Sequence, residues 1–134
     1  MAKTGRTVPC DQAARRGRLE KARQFLEAAS IVEQLMENEN DLLEACVTLW
    51  VHAGIAAADV ICCVRLGVHA KGENHAEAID LLRQAQSDLA AHLSSLISMK
   101  TRSGYTSLLT PVADGRRAMR AAVALYDYAK DLVV

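Results

Sequence analysis

The amino-acid sequence predicts an all-α protein, a four- to five-helix up-and-down bundle. Three observations predict it. Apolar residues recur at steps of three and four along most of the chain. The apolar–polar alternation that marks half-buried strands is absent. Both prolines, Pro9 and Pro111, stand near element starts, where a missing backbone N–H costs least. At 134 residues the chain is long enough to bury one core without crosslinks, so one domain is expected. Residues 1–12 read as a flexible basic arm and residues 13–134 as the bundle.

The first helix is predicted over about 13–37. Its apolar stripe is Leu19, Ala22, Phe25 or Leu26, Ala29, Val32 or Ile31, and Leu35 or Met36. The run "ENEN" breaks it, and Asn40 is a candidate N-cap for a second helix over about 41–66 that Gly67 closes. That helix is apolar nearly all round and should be central. It is long enough to cross a bilayer, but Glu44, His52, Asp59 and Arg65 interrupt it, so no membrane partner is expected. Asn74 and Glu77 form a capping-box pattern that starts a third helix. Ile79, Leu82, Leu89, Leu93 and Leu96 carry its stripe onward, with a break at residues 86–88 where Ser87 could cap a fourth helix. "TRSGYTSLL", residues 101–109, reads as a loop. Thr110 as N-cap and Pro111 as first helical residue start the last helix, whose buried face should be Met119, Ala122, Val123, Tyr126, Ala129 and Val133.

Charge is distributed unevenly. Formal net charge is zero, yet residues 1–23 carry seven Lys or Arg against Asp11 and Glu20, leaving that segment at +5 and the remainder at −5. Such a basic arm is either a solubilising tail or an anion-binding one. No apolar leader stands in "MAKTGRTVPC", which predicts a cytoplasmic protein with reduced thiols. Cys46, Cys62 and Cys63 lie among apolar neighbours, and adjacent Cys62 and Cys63 diverge by about 100° on a helix, so the cysteines are expected to pack as thiols.

Within the second helix, Glu44, Thr48, His52 and Asp59 fall inside a sector of about 80°. That stripe is either a set of buried polar groups satisfied by other helices or a polar groove or dimer seam. His52 and Asp59 are about 10 Å apart along the axis and need partners from elsewhere. The stretch "ICCVRLGVHAKGENHAEAIDLL" gathers cysteines, Arg65, His69 and His75, but no pair has zinc-ligand spacing, so no metal is expected. Arg65 suits the negative end of its helix, His69 reads as a solvated loop residue, and His75 as a helix-start residue. No nucleophile elbow, carboxylate pair or glycine-rich phosphate loop is present, and nothing implies a cofactor.

The order of segments resembles a known family. The central helix ending "AAADVICCVRLG", then "NHAEAIDLL", "LSSLISMKTRSGY" and "TPVADGRRAMRAAVALYDYAKDLV" are similar to the HEPN domain, over about residues 18–133. The resemblance is to an uncharacterised actinobacterial-type branch of that superfamily. It implies a helical bundle acting as a homodimer. Many HEPN proteins are metal-independent ribonucleases in which an arginine and a following histidine, paired across two subunits, hold phosphate and move protons. The segment matching that motif here is "KTRSGY", which has no histidine, and Tyr105 is a poor proton carrier near neutral pH.

Two functions are therefore expected to compete. The first is a non-catalytic HEPN-like module, dimeric, that binds a nucleotide, an RNA or a partner protein. Its candidate surface is His52, Asp59, Lys100, Arg102 and Tyr105, with Arg116, Arg117 and Arg120 at the start of the last helix, where anions are favoured. The second is a divergent metal-independent endoribonuclease of toxin or defence type. It would use Lys100 or Arg102 for phosphate and His52, His69 or His75 for protons. A histidine close to Lys100 or Arg102 would distinguish them.

Overall fold

The computed structural model describes residues 7–72 and 74–133, without the side chains of 103–105. Among the described residues five helices form: α1 (Gln12–Leu35), α2 (Leu43–Leu66), α3 (His75–Ala85), α4 (Ala90–Tyr105) and α5 (Val112–Leu132). The expected all-α bundle is what the chain adopts. Two three-residue strands, β1 (Thr7–Pro9) and β2 (Val68–Ala70), pair antiparallel with Val8 opposite His69. Thr7–Pro9 belong to the stretch read as a flexible arm, whose residues 1–6 lie outside the described residues.

Helix α2 is the axis of the molecule, and α1, α3, α4 and α5 all pack on it. Its apolar character follows from that position. Although α2 is long and apolar enough to cross a bilayer, 67% of its most apolar window is buried inside the bundle. Val47, Val51, Ile61, Leu82, Leu93, Leu96 and Leu125 are fully buried. Each such side chain contributes roughly 1.5–3 kcal/mol by leaving water. Small residues let the helices approach: Gly54 of α2 faces Leu96 and Leu125, and Gly115 of α5 faces Leu43.

Several boundaries follow local signals. Asp11 caps α1 by accepting from Ala14 N at 2.9 Å. Gly67 closes α2 at φ 79°, a left-handed conformation that glycine adopts without steric cost. Asn74 caps α3 by accepting from Glu77 N at 3.1 Å. Gln86 and one 3-10 turn, Ser87–Leu89, separate α3 from α4, so these are two helices.

Other expectations need correction. Asn40 is not the cap of α2. Leu42 stands there, while Asp41 accepts from the backbone N–H groups of Glu37 and Asn38 and closes the α1–α2 turn. Residues 101–105 are not loop, because α4 runs to Tyr105. Pro111, not Thr110, occupies the cap position of α5, and Thr110 is drawn away to Glu44, whose carboxylate accepts from its N at 2.6 Å and its Oγ at 3.1 Å. The buried face of α5 is Gly115, Ala118, Ala121, Ala122, Leu125 and Ala129, which leaves Val123 40% exposed.

The largest correction concerns the cysteines. Cys10 and Cys63 form a disulfide with Cα atoms 5.8 Å apart, against the expectation of reduced thiols throughout, with Cys63 packed in the core. Cys46 and Cys62 do pack as buried thiols.

Candidate functional site

Asp59 lies on the α2 face that turns toward α1, and it is buried. A buried carboxylate needs a partner, and Arg18 of α1 supplies one, its Nη1 donating to Asp59 Oδ2 at 3.0 Å. Arg18 occupies the same helical face as Ala22, Phe25 and Ala29, one residue type out of keeping with that stripe. Burial pushes the Asp59 carboxyl up to about 6, while the charges of Arg18 and His69 pull it down.

Two turns earlier on α2, His52 is exposed, not buried, and its ring lies 5.5 Å from the ring of Phe25. His69 is not a solvated loop residue. It is buried in β2, with Nδ1 2.8 Å from the Ala70 carbonyl.

Beyond β2 the chain turns at Gly72 (φ 58°) and enters α3 through the Asn74 cap. That cap fixes His75 as the first helical residue. Lys100, near the end of α4, brings its Nζ to 3.5 Å from His75 Nε2. The four side chains His52, Asp59, His75 and Lys100 line one cavity of about 180 Å³, walled also by Gly72 and Asn74. Its apolar floor includes Ile55, Leu93 and Ile97.

The cavity thus unites three residues of the predicted binding surface, His52, Asp59 and Lys100, with His75, a proton-carrier candidate of the ribonuclease alternative. The others stand apart from it. Arg102 bonds Asp114 at 2.8 Å, and Arg117 bonds the other oxygen of the same carboxylate at 2.8 Å. Arg116 pairs with Glu39, whose carboxyl is held below its usual range by that guanidinium. Arg116 and Arg120 border a second cavity, of about 250 Å³, together with Met36, Trp50 and Met119. Tyr105 ends α4, and its side chain lies outside the described residues. The expected cationic surface is therefore largely neutralised by carboxylates of the same chain.

Arg18 escaped the sequence reading as a site residue, and His75 entered it only as a proton carrier of the ribonuclease alternative. His75 carried a signal in the Asn74 cap, which places the next residue at the head of a helix. Arg18 carried one as a charge in register with an apolar stripe. Among the described residues, no group of three or more His, Cys, Asp or Glu is placed to hold a metal ion.

Chemically, the cavity offers one ammonium, two imidazoles and one carboxylate already tied to a guanidinium. Such a set receives an anion at its lysine and imidazoles, and a hydroxyl donor at its carboxylate. Compared with known proteins, the chain matches no family model and no curated protein.

Proposed function

We propose that the protein is a HEPN-like helical binding module whose α2–α3–α4 cavity accepts a phosphate-bearing small ligand, a nucleotide in preference to an extended RNA. One observation carries the reading: His52, Asp59, His75 and Lys100, from three helices, converge on a single cavity. At about 180 Å³ it is smaller than a drug-sized pocket and suits one phosphate end of a ligand. An RNA track would want a run of unpaired cations, whereas Arg102, Arg116 and Arg117 are each engaged by a carboxylate. In this reading Lys100 and the imidazoles meet the phosphate and Asp59 accepts from a ribose hydroxyl. The family resemblance adds a homodimer, for which exposed Ile31, Leu35 and Val123 supply apolar surface.

Thermal unfolding tests the reading. A nucleoside monophosphate at about ten times its Kd should raise Tm by about 5 °C, and Lys100→Ala should abolish the rise. No shift with any nucleotide would contradict it.

The feature expected to distinguish the two functions, a histidine close to Lys100, is present, with His75 Nε2 at 3.5 Å, and it favours a second reading, metal-independent cleavage of RNA. It puts a phosphate-binding cation beside a residue type that exchanges protons near neutral pH. Labelled RNA in EDTA decides it. Cleavage lost in both Lys100→Ala and His75→Ala would establish the enzyme, and intact RNA with pure wild-type protein would end that reading.

A further inference from the structure

We infer that the Cys10–Cys63 disulfide is a redox clasp: it holds β1 on β2 and so keeps the wall of the α2–α3–α4 cavity in place, and its reduction by a dithiol loosens that wall. The inference deepens the ligand-pocket reading by supplying its regulation, and its structural half can be tested without a ligand.

Strand β1 has little else to hold it. It is three residues long, Thr7 and Val8 are half-buried, and Pro9 is exposed. A two-stranded ribbon of this size is not stable in water by itself. Its attachment is concentrated where the disulfide is. Cys10 bonds covalently to Cys63 in the last turns of α2, and Cys10 N donates to the Gly67 carbonyl at 3.1 Å. Asp11, the next residue, caps α1. One crosslink thereby fixes the start of α1 and the strand before it to the end of α2.

The clasp reaches the cavity through β2. Thr7 pairs with Ala70, and Ala70 lines the cavity, as do Gly72, Asn74 and His75 just beyond. His69, the middle residue of β2 and the partner of Val8, is buried, and its charge pulls the Asp59 carboxyl down. Among the described residues β1 is the sole strand neighbour of β2. When β1 leaves, β2 loses its ladder and keeps only its packing on α2 and α3, and the 68–72 wall loosens.

The chemistry is a two-electron exchange. A dithiol's thiolate attacks Sγ of Cys10, the half-buried residue of the pair where Cys63 is fully buried, and the S–S bond breaks. Cys63 leaves as a thiolate and takes a proton. The reagent's second thiol then displaces Cys10, which leaves as a thiolate and is protonated in turn, and the reagent ends as its own disulfide. Rearrangement inside the protein does not compete: burial pushes the neighbouring Cys62 thiol up to about 12, and burial raises Cys46 as well.

Amide hydrogen exchange on the full-length protein, oxidised and then treated with dithiothreitol, tests the clasp. Reduction should speed exchange of residues 68–70 at least about tenfold while the α2 core stays protected. Oxidised Cys10→Ser should match the reduced wild type. Unchanged protection of 68–70 on reduction, or a Cys10→Ser protein that matches the oxidised wild type, would overturn the inference. Nucleotide-induced Tm shifts are read on the same samples. A shift that shrinks on reduction supports the link to the cavity, and an equal shift in both forms overturns it. If the oxidised protein shows no shift, the ligand reading falls, and exchange of residues 68–70 still decides the clasp.

Discussion

Asp59 concentrates the electrostatics of the molecule in one side chain. It is buried, tied to Arg18, and forms part of the cavity wall. Because burial raises its carboxyl from 3.8 to about 6, the folded protein holds this proton more tightly than the unfolded chain. Its contribution to stability is therefore fully present below pH 3.8 and is lost as pH rises through about 6. Asp59→Asn removes that dependence. The Tm of the wild type relative to Asp59→Asn should rise as pH falls from 7 to 4, and a difference constant across that range would show an ordinary, solvated aspartate. Much of this residue was legible. Asp59 interrupts an apolar helix in register with Glu44, Thr48 and His52, and Arg18 interrupts the apolar face of α1. The exposure of His52 was not, because it depends on how α1 seats against α2 beside it, with the Phe25 ring 5.5 Å away.

At the scale of elements, close approach of α2 to α4 depends on Gly54. A Cβ there would collide with the Leu96 side chain, which is fully buried and must shift to make room. Gly54→Ala should lose about 1–2 kcal/mol in urea unfolding, since overpacking outweighs the helix-propensity gain of about 1 kcal/mol. Gly17→Ala in α1, where a Cβ would meet nothing within 4 Å, should instead gain about 0.5–1 kcal/mol. Equal effects at both sites would refute the packing argument. Element ends with a local chemical signal, Gly67 and Asn74, were readable from sequence. The end of α4 was not. Ser103 and Gly104 favour a loop by propensity, yet α4 continues through them, and Arg102 in the same stretch is held to Asp114 in the first turn of α5. The β1–β2 pair was equally hidden, since three residues are too few to show alternation.

The whole molecule is a bundle with a cavity at one side and a covalent clasp beside it. Both depend on contacts between residues far apart in the chain. Cys10 and Cys63 are separated by 53 positions, and His75 and Lys100 by 25. No periodicity reports such approaches, which is why the bundle could be read and the disulfide and the His75–Lys100 contact could not. The same long-range folding also explains why the predicted surface divided in two. Arginines grouped in the sequence at 116, 117 and 120 became parts of ion pairs and of the second cavity, while His52, Asp59 and Lys100 met at the first. NMR titration of the oxidised protein with a nucleoside monophosphate, following backbone amides and imidazoles, tests the central claim most directly. The account predicts saturable shifts at His52, Gly72, Asn74, His75 and Lys100 that vanish in Lys100→Ala. Shifts centred on Arg116 and Arg120, or none, would contradict it.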